Sequence, residues 1–391
     1  MLALAACLIL PSLEQVYKFL GLPGTVAYML FTSLSIVIVY KYVLPRFISY
    51  VTEKQVLALA FATFLLLILA FALVYPIADA GIGGIRGRVS GGGSDRDNAL
   101  NLAATELMHG RYLYTPKTYL GNRIGVLPGG VILSAPFVLL GNSAYQNLFW
   151  ILVLFIVLKM YLKDGRLALI GMWGILFLSP VALQQLVTGG DLLSNVIYVL
   201  VFSLILTSVT AKTDTNVWIK IGAAILLGIG LSSRANFILV LPLAFSFMAQ
   251  NIGWKEAAKY TGLVAVTAAS VTLPFYFYNP DGFTPLFSQS VKVSLLPILP
   301  SAGILVPILG GLLALALMFQ RMGSDGVVFW RNCAIGQFIL YAFVSILPMI
   351  EKGGLVIGVH GYGMIFFLFG AIASWLYLTR QASVESLKSP T

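Results

Sequence analysis

Asp95 and Asp97 stand one residue apart in a polar, glycine-rich stretch of an otherwise apolar chain, with Arg96 between them. Six cations are gathered in the same region: Arg86, Arg88, Arg96, Arg111, Lys117 and Arg123. A carboxylate can take a proton from an attacking hydroxyl. Guanidinium and ammonium groups can hold a phosphate and stabilise charge as it develops on a leaving group. Two acids within reach of several cations therefore suit transfer of a group from a phosphate ester. The competing reading is structural. Asp97 or Ser94 caps the helix that follows, and Gly91–Gly93 make a plain turn.

The elements that must position these groups are membrane helices. The chain is 59% apolar and 10% charged, with a mean hydropathy of +0.94, outside the range of soluble domains. Apolar runs near twenty residues recur along it. The expected fold is all-α, a polytopic transmembrane protein forming a single domain over 1–391. The expected spans are 1–19, 24–44, 55–77, 143–162, 167–184, 191–210, 216–232, 236–250, 257–277, 302–319, 328–350 and 355–378, roughly twelve. Cys7 and Cys333 lie in or beside apolar runs and read as small core residues, with neither metal spacing nor a disulfide framework. The net charge of +10 comes without a basic stripe interleaved with aromatics, which argues against nucleic acid.

Charge orients the spans. If Lys41, Arg46 and Lys54 face the cytoplasm, alternation puts Lys159, Lys163, Arg166, Lys212, Lys220, Lys255, Lys259, Arg321, Arg331, Arg380 and Lys388 there too. That alternation holds only if 125–141, broken by Pro128, Gly129, Gly130 and Pro136, is re-entrant or interfacial. Both ends are then cytoplasmic, and the loop 78–142 is extracytoplasmic. Within it, 98–110 has helical character. Leu100, Ala103, Ala104, Leu107 and Met108 share an apolar side, and Gly110 is a stop. This fits a helix lying flat on the outer membrane face, with Asp95 and Asp97 at its start.

The string Ser94, Asp95, Arg96, Asp97, Asn98, Ala99, Leu100, followed by Ala103–Leu107, Gly110–Tyr114, Thr118–Asn122 and Leu127–Gly130 through Ala135–Gly141, resembles the first outer loop of GT-C glycosyltransferases. The resemblance covers about fifty residues and implies a polytopic enzyme taking a sugar from a polyprenyl-phosphate donor. It makes Asp97 the first candidate for the catalytic base and Asp95 the second. It also implies an interfacial helix, then a proline-containing segment, then the next span. Some members of that superfamily bind a divalent cation through paired acids, so Asp95 and Asp97 are the candidate ligands, and other members need no metal.

Arg234 lies between two apolar runs at the outer end of a glycine-rich span. It is a donor-phosphate candidate by the same resemblance, or else a hairpin arginine reaching for headgroups. Arg96, Arg111, Lys117 and Arg123 are the other phosphate candidates. Asp191 either caps the next helix or, with Gln184 and Gln185, contributes to a sugar or acceptor pocket. Tyr112, Tyr114, Tyr119 and Asn122 are sugar- or acceptor-binding candidates, the tyrosines competing with a plain interfacial role. His360 and Tyr362 open the last span and are further candidates, although Met364 and Ile365 stand where related enzymes often carry an arginine. Asp281 and Lys292 belong to an outer loop able to cover the site. The function expected is transfer of a sugar from a polyprenyl phosphate to an unidentified glycan, lipid or protein hydroxyl, with inversion, at the outer face of the cell membrane. The alternative is a transporter or flippase of a lipid-linked anion, which calls for charges at mid-membrane on several helices. A third class, a non-catalytic membrane subunit, would leave both acids free to vary.

Overall fold

The computed structural model describes residues 1–80, 95–212, 214–285, 302–323, 326–354 and 363–388. In chain order the helices are α1 (Leu2–Ile9), α2 (Leu13–Ile38), α3 (Leu44–Tyr50), α4 (Glu53–Ala80), α5 (Arg96–Met108), α6 (Pro128–Leu139), α7 (Gln146–Leu162) and α8 (Gly165–Phe177). There follow α9 (Pro180–Val187), α10 (Asp191–Thr210), α11 (Val217–Leu231), α12 (Val240–Ile252), α13 (Trp254–Tyr278), α14 (Ala302–Met318), α15 (Val327–Lys352) and α16 (Met364–Lys388). No strand forms among the described residues, apart from an isolated bridge between Lys117 and Arg123. The all-α expectation is met, and the long apolar helices are those of an integral membrane protein.

The span count differs from the twelve expected. Six helical stretches among the described residues are long and apolar enough to cross a bilayer, and a bent pair makes a seventh. The reasons are local. Stretches 1–19 and 24–44 join in one helical run from Leu2 to Tyr50, kinked at Gly21 (φ 62°) just before Pro23. Stretch 167–184 breaks by 82° between α8 and α9, where Pro180 opens the second helix. Helices α11 and α14 are only 15 and 17 residues long. The start of the last expected span, 355–362, lies outside the described residues. Helix α6 has 12 residues, a rise of about 18 Å against a hydrocarbon core of about 30 Å. It is too short to cross unaided.

Helix α10 is the centre of the bundle. Of its candidate spanning window, 83% is buried, against 17% for the run Leu2–Tyr50 and for α13. It packs against α7, α11 and α16. Helix α4 begins with a reciprocal cap in which the Thr52 N–H donates to Gln55 Oε1 at 2.8 Å and the Gln55 N–H to Thr52 Oγ1 at 3.4 Å. Asp164 caps α8 through the N–H groups of Arg166 and Leu167. Burial of the Asp164 carboxyl opposes ionisation, but the hydrogen bonds from Arg166 and Leu167 prevail and lower its pKa.

These contacts define two opposite ends. At one, Lys159 Nζ lies 3.0 Å from Glu53 Oε2, the Gly165 N–H donates to Glu53 Oε1, and Arg166 Nη1 donates to the Ile48 carbonyl at 2.6 Å. At the other, Tyr75 of α4 meets Asp97. The 22 residues of α4 between these points rise about 33 Å, so Asp97 and the basic 46–54 and 159–166 segments lie a bilayer's thickness apart.

Helix α5 buries Ala99, Leu100, Ala103 and Ala104 against Leu113, Tyr114, Ile124, Val126, Val131 and Phe283. Its apolar side is thus covered by its own loop and by α6 and not offered bare to lipid. Leu107 is half-buried and Met108 is 42% exposed. Gly110, at φ +67°, ends the helix as expected.

Candidate functional site

Neither Asp97 nor Asp191 caps a helix. The N-cap of α5 is Asp95 and that of α10 is Gly190, and neither position makes a side-chain cap. The Asp97 carboxylate is buried (3% exposed) and its Oδ2 accepts a 2.6 Å hydrogen bond from Tyr75 Oη. Ser143 Oγ donates to the Asp97 carbonyl at 3.1 Å, and the Ser143 N–H to Asn101 Oδ1 at 2.8 Å. These bonds lock the first turn of α5 to the segment between α6 and α7.

Asp191 is fully buried and binds the arginines. Arg234 Nη2 reaches its Oδ2 at 2.5 Å, and Arg96 Nη1 lies 3.8 Å from its Oδ1. Asn195 Nδ2 adds a 3.0 Å bond to Oδ2, and Tyr198 Oη donates to Asn195 Oδ1 at 2.8 Å. A charge as deeply buried as Asp191 needs such partners. The two arginine side chains keep 20% and 19% exposure and Asp191 none, so the exposed edge of this group is cationic and its acid lies behind. Arg234 Nε is buried without a hydrogen-bond partner among the described residues.

A glycine turn and a glycine in the first turn of α6 bring these side chains together. Gly189 has φ +71°, and a Cβ there would sit 2.8 Å from Tyr75 Cε2 and 3.2 Å from Asp97 Oδ2. The turn before α10 thus closes directly over the Tyr75–Asp97 bond. Asn147 clamps it, its Nδ2 donating to the carbonyls of Gln185 and Gly190, each at 3.0 Å, and its Oδ1 accepting from Ser194. The segment carrying Arg234 is held by the start of α6, where the Leu127 N–H donates to the Ser233 carbonyl and the Gly129 N–H to that of Ser232. The backbones meet so closely that a Cβ on Gly129 would lie 2.2 Å from the Ile229 carbonyl oxygen.

The structure therefore gathers Asp97, Arg96, Asp191 and Arg234, and leaves other candidates apart. Asp95 turns to the hairpin 117–123, accepting from Thr118 Oγ1 at 2.6 Å and Asn122 Nδ2 at 2.7 Å. The two acids thus face different partners, and no group of three or more His, Cys, Asp or Glu side chains suited to a metal occurs among the described residues. Arg111 makes a bidentate pair with Glu106 at 2.7 Å, and these hydrogen bonds hold the Glu106 carboxyl below its ordinary pKa. Lys117 and Arg123 are exposed and face each other across the hairpin bridge. Tyr112 Oη bonds the carbonyls of Phe275 and Asn279, and Tyr114 Oη that of Val126. Burial raises the pKa of both phenols, that of Tyr114 far more. Tyr119 is 39% exposed, and its N–H donates to Asn98 Oδ1. Gln184 Oε1 accepts from Gln15 Nε2, and the side chain of Gln185 packs against Gly190. Asp281 is exposed. Ser94, Lys292, His360 and Tyr362 lie outside the described residues.

Sequence reasoning missed Tyr75, Asn142 and Asn147. Each is a polar residue at the end of an apolar run, which was the available signal. An apolar hollow lined by Pro11, Ser179, Ala182 and Phe367 reaches Leu193, which lies about 200° around α10 from Asp191. A larger one between α1, α2, α8 and α16 lies away from the charged cluster and shares Leu8, Ile175 and Ala371 with the first. Comparisons with protein families, with curated proteins and with solved structures found no match.

Proposed function

We propose that the chain is a membrane glycosyltransferase of GT-C type that moves a sugar from a polyprenyl phosphate to an acceptor hydroxyl, with inversion. The observation that carries the reading is the placement of Asp97 next to the Arg96–Asp191–Arg234 group, acids behind and cations toward solvent. The acceptor hydroxyl gives its proton to Asp97 as its oxygen bonds the anomeric carbon. The bond from that carbon to the phosphate oxygen breaks, and the electron pair leaves with polyprenyl phosphate. Arg96 and Arg234 offset the charge on the departing phosphate. At 3% exposure Asp97 is covered, so the reaction requires an opening step before the acceptor arrives.

The resemblance of residues 94–141 to GT-C first outer loops supports the same reading. So does the separation of Asp97 from the basic end of the bundle, which fits an extracytoplasmic site in the cell membrane with those loops in the cytoplasm. Helices α11, α14, α15 and α16, counted as further crossings of a locally thinned bilayer, bring the total toward the dozen read from hydropathy. The described ion pairs lie at or near helix ends and not at mid-helix, which favours surface chemistry over anion transport.

The test is incubation of the purified protein with a panel of polyprenyl phosphates carrying a radiolabelled sugar. The expected result is loss of label from the lipid with appearance of free polyprenyl phosphate. Quantitative recovery of intact donor across the panel, from well-folded protein supplied with cell-envelope acceptors, counts against the reading.

A further inference from the structure

Tyr75 stands 22 residues before Asp97 in the chain, on a helix that reads as an ordinary apolar span. Its hydroxyl nonetheless donates to Asp97 Oδ2 at 2.6 Å, and Asn142 Nδ2 donates to that hydroxyl oxygen at 2.7 Å. The order of donors has a direction. Asn142 Oδ1 is held by the Ala144 N–H at 2.9 Å and by Asn101 Nδ2 at 3.2 Å, so its amide nitrogen is the atom that faces the phenol. With an amide hydrogen on its oxygen, the phenol directs its own hydrogen at the carboxylate. The ring is fixed as well. It stacks on Phe71 with centroids 4.7 Å apart, is 8% exposed, and has Gly189 at its edge, where a Cβ would not fit.

We infer that Tyr75, aimed by Asn142, is a positioning residue for Asp97 that fixes the carboxylate's orientation and keeps it in its proton-accepting form. The inference rests on Asp97 being the proton acceptor of the proposed transfer. A hydrogen bond to the charged form of a carboxylate favours that form. The other charged or titratable groups around Asp97 are Asp95 and Arg96 on its own helix, Asp191 at the start of α10, Arg234 beyond α11, and Tyr145 beside Phe71. None of them changes in the variants below.

Tyr75→Phe keeps the ring and the stacking, and removes both the donor to Asp97 and the oxygen that accepts from Asn142 Nδ2. Asn142→Ala removes the amide that aims the phenol and adds no charge. An infrared titration of the purified protein in detergent reads the carboxyl directly, taking as Asp97 the band that disappears in Asp97→Asn. Both variants are expected to move the midpoint of that band upward by about one pH unit, a tenfold change in proton affinity. The acidic limb of the transfer rate with radiolabelled polyprenyl-phosphate sugar should move by the same amount, with KM for the donor unchanged. A midpoint and a limb that stay at the wild-type position in both variants overturn the inference. So does a change in KM alone. If the band moves and no variant, nor the wild type, transfers sugar, the proposed function fails while the hydrogen-bonded pair stands. If Asp97→Asn abolishes transfer but Tyr75→Phe superimposes on wild type, only the role of Tyr75 fails.

Discussion

Asp191 shows how a residue's neighbours change its meaning. Its position before an apolar run reads as a helix cap, yet its carboxylate is spent on Arg234 and Arg96, which come from elements 43 and 95 residues away along the chain. Removing one partner of a buried ion group costs about 3–5 kcal/mol. The arginines keep about one-fifth of their exposure, which places Asp191→Asn near the low end, about 3 kcal/mol. A lowered thermal unfolding midpoint in detergent is expected, together with a higher KM for the lipid-linked donor as Arg96 and Arg234 lose their anchor. Wild-type values for both would show that Asp191 does not organise them. The acids and Arg234 were legible in the sequence because ionisable groups are rare in this chain. Their partners were not, because Tyr75 and Asn142 look like interfacial residues until the turn at Gly189 sets Tyr75 against Asp97.

The helices themselves were legible from hydropathy, and the breaks in them less so. Gly110 was readable as a stop because a glycine follows a helical pattern there. The 82° bend at Pro180 was not, because Ser179 and Pro180 interrupt a run that stays apolar on both sides. Gly129 and Gly130 marked 125–141 as unusual, but the reason lies in the partner element. The backbone of α6 starts in contact with the Ser232–Ser233 carbonyls that precede Arg234. Gly129→Ala must push a methyl into the Ile229 carbonyl and Ser232, at a cost of about 1–3 kcal/mol, and should displace Arg234. Gly110→Ala meets no atom within 4 Å and carries only the strain of φ +67°, about 1 kcal/mol. The expected pattern is loss of both stability and transfer for Gly129→Ala, and a small stability loss with normal transfer for Gly110→Ala. Equal effects on transfer would separate the start of α6 from the placement of Arg234.

At the scale of the whole molecule, the bundle has a basic end around Glu53, Lys159 and Arg166 and an end that holds Asp97, Asp191 and Arg234. In a background with Cys7 and Cys333 replaced, Ser49→Cys and Leu120→Cys, both exposed, should react with an impermeant thiol reagent from opposite sides of the membrane. Leu120→Cys is expected to react from outside. Labelling of both from one side would overturn the topology. The proposed transfer turns on Asp97 receiving the acceptor's proton, and Asp97→Asn removes that proton acceptor with the least change in shape. Sugar transfer from a polyprenyl phosphate by the purified variant should fall at least a hundredfold, while its unfolding midpoint stays near that of the wild type, as expected for removal of a general base worth about 10²–10⁴ in rate. Transfer within a factor of two of the wild type, from equally stable protein, would contradict the claim.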